Sequence, residues 1–143
     1  MTYASFSDLA TAYGNDELVR LTDRDDLPTG AVDMAVIEKA LGDAGALIDG
    51  YLGARYVLPL TITSDLLRGL AEVIALYKLH RFGAPESVRT DYEDALKTLA
   101  QIANGNVRIP GAAGVEPDGT GASGARVTDR DRPFTADNMR SFI

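Results

Sequence analysis

The chain has 143 residues, a net charge of −7, 45% hydrophobic and 24% charged residues, no cysteine and a single histidine. That length suits one domain able to bury a core without disulfides or metal. The lack of cysteine excludes disulfide staples, thiolate metal sites and cysteine nucleophiles, and the acidic balance argues against general nucleic-acid binding, which needs a surplus of Lys and Arg to neutralise phosphate.

Taken in chain order, the N-terminal MTYASFSDLA has no basic region followed by an apolar run, so no signal peptide is expected. Ser5 or Ser7 is positioned to cap a short helix reaching Tyr13, with Gly14 as its stop. Asn15 is expected to cap a second short helix over Asp16–Leu21, with acidic residues at its positive end. Residues 22–30 form a polar loop rich in turn residues. Its aspartates Asp23, Asp25 and Asp26 fail the calcium-loop pattern: the sixth position is Pro28 where Gly is required, and the twelfth is Met34 where Glu is required.

A long helix is expected from Asp33 to about Arg55. Val36, Ile37, Ala40, Leu41, Ala44, Leu47, Ile48, Tyr51 and Leu52 recur at i, i+3 and i+4, which makes one buried stripe. Pro59 holds Leu58 extended and turns the chain at Leu58-Pro59-Leu60. Tyr51, Arg55, Tyr56 and Pro59 therefore read as a structural corner. The tyrosine rings fill space with their hydroxyls near water, and Arg55 bonds helix-end carbonyls or a carboxylate. Ser64 and Asp65 open a helix to about Phe82, and a further helix runs from Glu86 to Ala103, ended by Asn104-Gly105. No run of alternating β-branched residues is present, so the expected fold is an all-α bundle of three main helices and two short N-terminal ones.

Within the long helix, Gly42, Gly45, Gly50 and Gly53 each cost about 1 kcal/mol relative to Ala. Gly42 and Gly53 fall on nearly one line opposite the stripe, which marks them as a candidate subunit interface; a helix that simply tolerates them is the alternative. After Ile109 the composition changes. Pro110–Gly124 holds five glycines and two prolines, so residues 1–109 are read as the helical domain, 110–128 as a Gly-rich flexible linker and 129–143 as a C-terminal arm. Phe134, Met139, Phe142 and Ile143 make that arm a docking candidate, either on another protein or subunit or back on its own bundle.

Chemistry-bearing constellations are sparse. His80 sits in the last turn of its helix, where a capping role outweighs catalysis. The Gly-rich stretch lacks the phosphate-loop lysine and follows no strand. No catalytic residue, metal ligand or cofactor is assigned, and the expectation is a non-enzyme. No segment approaches the roughly 20 apolar residues that would span a bilayer.

The order of residues resembles a known family. Tyr3-Ala4, Asp8-Leu9, Gly14, Glu17-Leu18 and Leu21-Thr22-Asp23 precede Ala40-Leu41, Asp43-Ala44 and Ile48-Asp49-Gly50-Tyr51-Leu52. Arg55-Tyr56, Leu58-Pro59-Leu60, Tyr92-Glu93-Asp94-Ala95 and Gly105 follow, with Arg132-Pro133-Phe134-Thr135 near the end. This pattern is similar to the Mu-type phage head–tail connector family, also carried by prophages. It covers most of residues 3–109 and is strongest at 48–60; the linker is not covered. The resemblance implies a virion protein assembled in the bacterial cytoplasm, a ring following portal symmetry (a dodecamer) from subunits that can be monomeric beforehand. Its implied partners are the portal protein, neighbouring subunits, and a stopper or tail terminator, with DNA passing through unbound. Two other classes compete: a small helical DNA-binding or regulatory protein, for which Arg68, Lys78 and Arg81 are a sparse basic set, and more weakly a metal-dependent enzyme using the loop aspartates.

Overall fold

The computed structural model describes residues 1–114. The arm residues Phe134, Met139, Phe142 and Ile143, and the linker beyond residue 114, lie outside the described residues. The fold is all-α: α1 (Phe6–Tyr13), α2 (Asn15–Thr22), α3 (Met34–Leu52), α4 (Asp65–Leu79) and α5 (Glu86–Asn104). The three longer helices pack on one another, α1 pairs with α2, and α1 rests on α4.

Local chemistry sets each boundary. Ser5 caps α1 in a reciprocal box: its hydroxyl accepts from the Asp8 amide at 3.3 Å, and the Asp8 carboxylate accepts from the Ser5 amide at 2.8 Å. Gly14, not Asn15, occupies the cap of α2, because its φ of 85° reverses the chain where a side chain would be strained. Asn15 is instead the first helical residue. Asp33 caps α3 by accepting from the Ala35 amide at 2.9 Å.

The expected stripe of α3 is its buried face, with Ile37, Ala44, Ile48 and Leu52 fully enclosed. They meet Leu67, Ile74 and Leu79 of α4 and Leu99 and Ile102 of α5 in one core. Leu9 and Leu18 carry the two short helices into the same core. Each leucine or isoleucine among them contributes about 1.5–3 kcal/mol by leaving water. Tyr77 of α4 and Tyr92 of α5 stack at 4.0 Å between ring centroids, nearly parallel at 6°. Thr22 is the one fully buried polar side chain among the described residues; its hydroxyl donates to the Leu18 carbonyl at 2.7 Å and accepts from the Asp33 amide at 3.1 Å. It thereby locks the end of α2 to the start of α3 across the intervening loop.

Candidate functional site at the corner after the third helix

The helix α3 ends at Leu52, three residues before the expected Arg55, in a turn that reuses its last carbonyls. The Gly53 amide donates to Asp49 O at 2.9 Å, and the Arg55 and Tyr56 amides donate to Leu52 O at 2.9 and 2.8 Å. The Leu58–Pro59 peptide is cis. Leu58 packs against the core and Leu60 is buried in it.

The chain beyond α5 completes this corner. The Tyr56 ring is buried, and its hydroxyl accepts a hydrogen bond from the Ile109 amide at 3.1 Å. That differs from the expectation of a hydroxyl near water: residues 109–114 return over the corner and supply the partner a buried polar group requires. The Val57 amide donates to Ala113 O at 3.0 Å, and Tyr56 and Gly114 form an isolated antiparallel bridge. Residues 110–114, the start of the Gly-rich stretch, are thus laid alongside 56–57. Tyr51 remains half-buried at the rim.

Arg55 faces the end of α5. That helix terminates in a left-handed Gly105 (φ 83°), with the Asn106 amide donating to Gln101 O at 2.9 Å and the Gly105 amide to Ile102 O at 3.0 Å. The Arg55 guanidinium lies directly against Gly105, in the space a Cβ there would take. A cation at this end of a helix meets the negative pole of its dipole.

The glycines of α3 divide by environment. Gly42 is exposed, with open space where a Cβ would sit. Gly53 is exposed too, but its Cβ would approach Asp49 O at 3.2 Å. The close backbone approach occurs instead at buried Gly45, where a Cβ would collide with the Met1 carbonyl. Residues 1–3 cross α3 at that point. The Met1 amine donates to Asp49 Oδ2 at 2.6 Å and the Tyr3 hydroxyl donates to Asp49 Oδ1. Burial, together with the Asp49 hydrogen bond and charge, pushes the Tyr3 phenol far above its usual range. A glycine between Leu41 and Ile48 on the inward face is the sequence signal for this crossing.

Elsewhere the charged groups serve the scaffold. Asp23 accepts from the Gly30 amide at 2.9 Å and the Thr29 amide at 3.2 Å, closing the acidic loop on itself; these bonds hold its carboxyl below the usual range. Among the described residues no group of three or more His, Cys, Asp or Glu side chains is placed to hold a metal ion. His80 Nδ1 lies 2.9 Å from Leu76 O, at the end of α4 where the sequence placed it. A residue the sequence reading missed, Arg24, bridges two helix ends by donating to Leu21 O at 3.1 Å and Leu79 O at 2.8 Å. Of the basic set considered for DNA, Arg68 is paired with Asp65, and Arg81 lies 5.2 Å from the ring of the exposed Phe82. No helix among the described residues is long and apolar enough to cross a membrane.

The fold and corner define a small helical protein whose distinctive residues build a joint between helix ends. Comparison with known proteins places it: the chain belongs to the family described as Bacteriophage Mu, Gp36, whose sequence model matches residues 3–128. It is a Mu-type phage protein. Over 105 residues it is 41% identical to Gene product J of Escherichia phage Mu, spanning 73% of this chain and 74% of that protein. It is also 39% identical over 79 residues to the Mu-like prophage FluMu protein gp36 of Haemophilus influenzae, spanning 55% of this chain and 56% of that one.

Proposed function

We propose that this chain is a virion structural protein, a head–tail connector that assembles as a ring on the portal and links the DNA-filled head to the tail. The observation that carries this reading is the family match over residues 3–128, which spans the whole helical body from Tyr3 onward. The corner supports it, because its residues tie α3, α5 and the following segment into one rigid unit, as a ring wall under packaging pressure requires. In this reading the chain works by binding and shape, not by catalysis. Twelve copies follow the symmetry of the portal protein, neighbours meet across the exposed surface that carries Gly42 and Gly53, and a stopper or tail terminator binds below. The charge of −7 suits a lumen that repels DNA and lets it pass. The ring is built in the bacterial cytoplasm and retained in the virion.

Mixing the purified chain with its cognate portal protein and imaging the product by electron microscopy tests this. A ring of added density on the narrow end of the portal is the expected result. Failure to bind portal or tail proteins, together with salt-sensitive DNA binding, would overturn it in favour of a DNA-binding regulator.

A further inference from the structure

Between them, α4 and α5 leave a shallow groove of about 480 Å³. Its floor is apolar, with Leu66, Leu70, Val73 and Ala95, and its rim is acidic, with Asp65, Asp91 and Asp94. Leu66 is 40% exposed there, an apolar side chain that the fold of residues 1–114 leaves uncovered. Asp65 and Asp94 pair along their own helices with Arg68 and Lys97. Exposed pairs of this kind contribute about 0–1 kcal/mol and exchange readily for other cations.

The C-terminal sequence fits such a groove. Residues 126–143 carry four arginines against three aspartates, in a chain that is otherwise acidic. Arg130, Arg132 and Phe134 alternate with Asp129, Asp131 and Pro133. In an extended segment alternate side chains share one face, so both arginines and the phenylalanine present together while the aspartates turn away. Pro133 favours that extended form at Arg132.

We propose that residues 130–134 of the same chain dock in the α4–α5 groove, with Phe134 on the apolar floor and Arg130 and Arg132 against the rim carboxylates. Reach and concentration select the chain's own segment over a second copy. Fifteen residues separate Gly114 from Arg130, and a Gly-rich chain of that length has a root-mean-square span of about 20 Å. The 19-residue α5 is itself only about 28 Å long. A tether of this kind sets an effective concentration on the order of millimolar, well above that of neighbouring molecules in dilute solution. The proposal stands independently of the connector reading.

The absence of native cysteine makes the contact directly measurable. A Thr98→Cys/Thr135→Cys variant places one thiol at the groove and one beside Phe134. A Thr29→Cys/Thr135→Cys variant serves as the control, because the 22–30 loop is held at the opposite end of α4 by Arg24. Both are equilibrated in a glutathione buffer at micromolar protein, then resolved by non-reducing electrophoresis and mass spectrometry. The expected result is an intramolecular disulfide for the 98–135 pair, with an effective molarity at least tenfold above that of the control. Adding Phe134→Ala, or Asp91→Lys with Asp94→Lys, should return it to the control value while the circular dichroism spectrum stays unchanged. Equal effective molarities for the two pairs would overturn the proposal. Predominantly intermolecular disulfides would also overturn it, by assigning the groove to a neighbouring copy. Should Thr98→Cys disturb folding, Leu66→Cys reports on the same groove from its partly exposed floor.

Discussion

The Tyr56 hydroxyl accepts the Ile109 amide proton across 3.1 Å, joining two residues 53 positions apart in the sequence. This bond fastens the end of α3 to the segment that follows α5. Both groups are buried, so each depends on the other for its hydrogen bond. Tyr56→Phe keeps the ring and strands the Ile109 amide, at an expected cost of about 1–2 kcal/mol. Urea unfolding of the two proteins measures it, and amide exchange at Ile109 should accelerate in the variant. A difference below about 0.5 kcal/mol, with unchanged exchange, would mean that water replaces the hydroxyl.

Much of this architecture is legible in the sequence because a helix buries a stripe with a fixed period. Ile37, Ala44 and Ile48, or Leu99 and Ile102, announce their faces without reference to any neighbour. What is hidden depends on partners distant in the chain. Nothing local says that the Tyr56 hydroxyl will be covered, because the covering residue is Ile109. Arg24 reads as one more charge in a polar loop until α4 brings the Leu79 carbonyl to it. Gly42 and Gly45 are equivalent as glycines in a helix, and only the path of residues 1–3 separates them. The groove is concealed for the opposite reason: Leu66 and Val73 fit the apolar pattern of α4, yet lie on its edge.

Gly42 and Gly45 of α3 should respond oppositely to the same change. Gly42→Ala adds a methyl group to open space on a helix and should stabilise the isolated subunit by about 0.5–1 kcal/mol. Any loss of ring assembly in that variant then reports on a neighbour and not on folding. Gly45→Ala gains the same propensity but drives the methyl group into the Met1 backbone. Crowding of that kind costs about 1–3 kcal/mol, which outweighs the gain. Thermal unfolding of both variants checks the signs, and equal stabilisation would show that residues 1–3 do not hold their place on α3.

Glu72 on α4 has a carboxyl pushed above its ordinary value of 4.5, by burial first and then by the nearby Asp8 carboxylate, with Arg68 pulling partly the other way. A raised folded value means that the fold favours the protonated acid. Stability is therefore lost as pH rises from the ordinary value through the raised one. Glu72→Gln removes this dependence and should be more stable than the parent at pH 7. The advantage should vanish below about pH 4, where the parent is protonated in both states. Denaturation midpoints measured from pH 3.5 to 7.5 decide it; a difference independent of pH would assign the effect to packing.

Gly105 and Arg55 allow backbone strain to be separated from side-chain contact. Gly105→Ala places a Cβ on a residue with φ of 83°, which costs about 1–2 kcal/mol in the left-handed region. The same Cβ meets the Arg55 guanidinium. That group is the far end of a flexible side chain, so it should swing aside at little cost, leaving the backbone conformation to dominate. Gly105→Ala should therefore destabilise the parent and an Arg55→Ala background to nearly the same extent, with a coupling below about 0.5 kcal/mol. Arg55→Ala alone should lose its interaction with the carbonyl end of α5, on the order of 0.3–1 kcal/mol, less so at high salt. A double-mutant cycle by urea denaturation at two salt concentrations measures all three terms. If Arg55→Ala instead removed most of the Gly105→Ala penalty, the guanidinium would be pinned in place, and the corner would be stiffer than its half-exposed position implies.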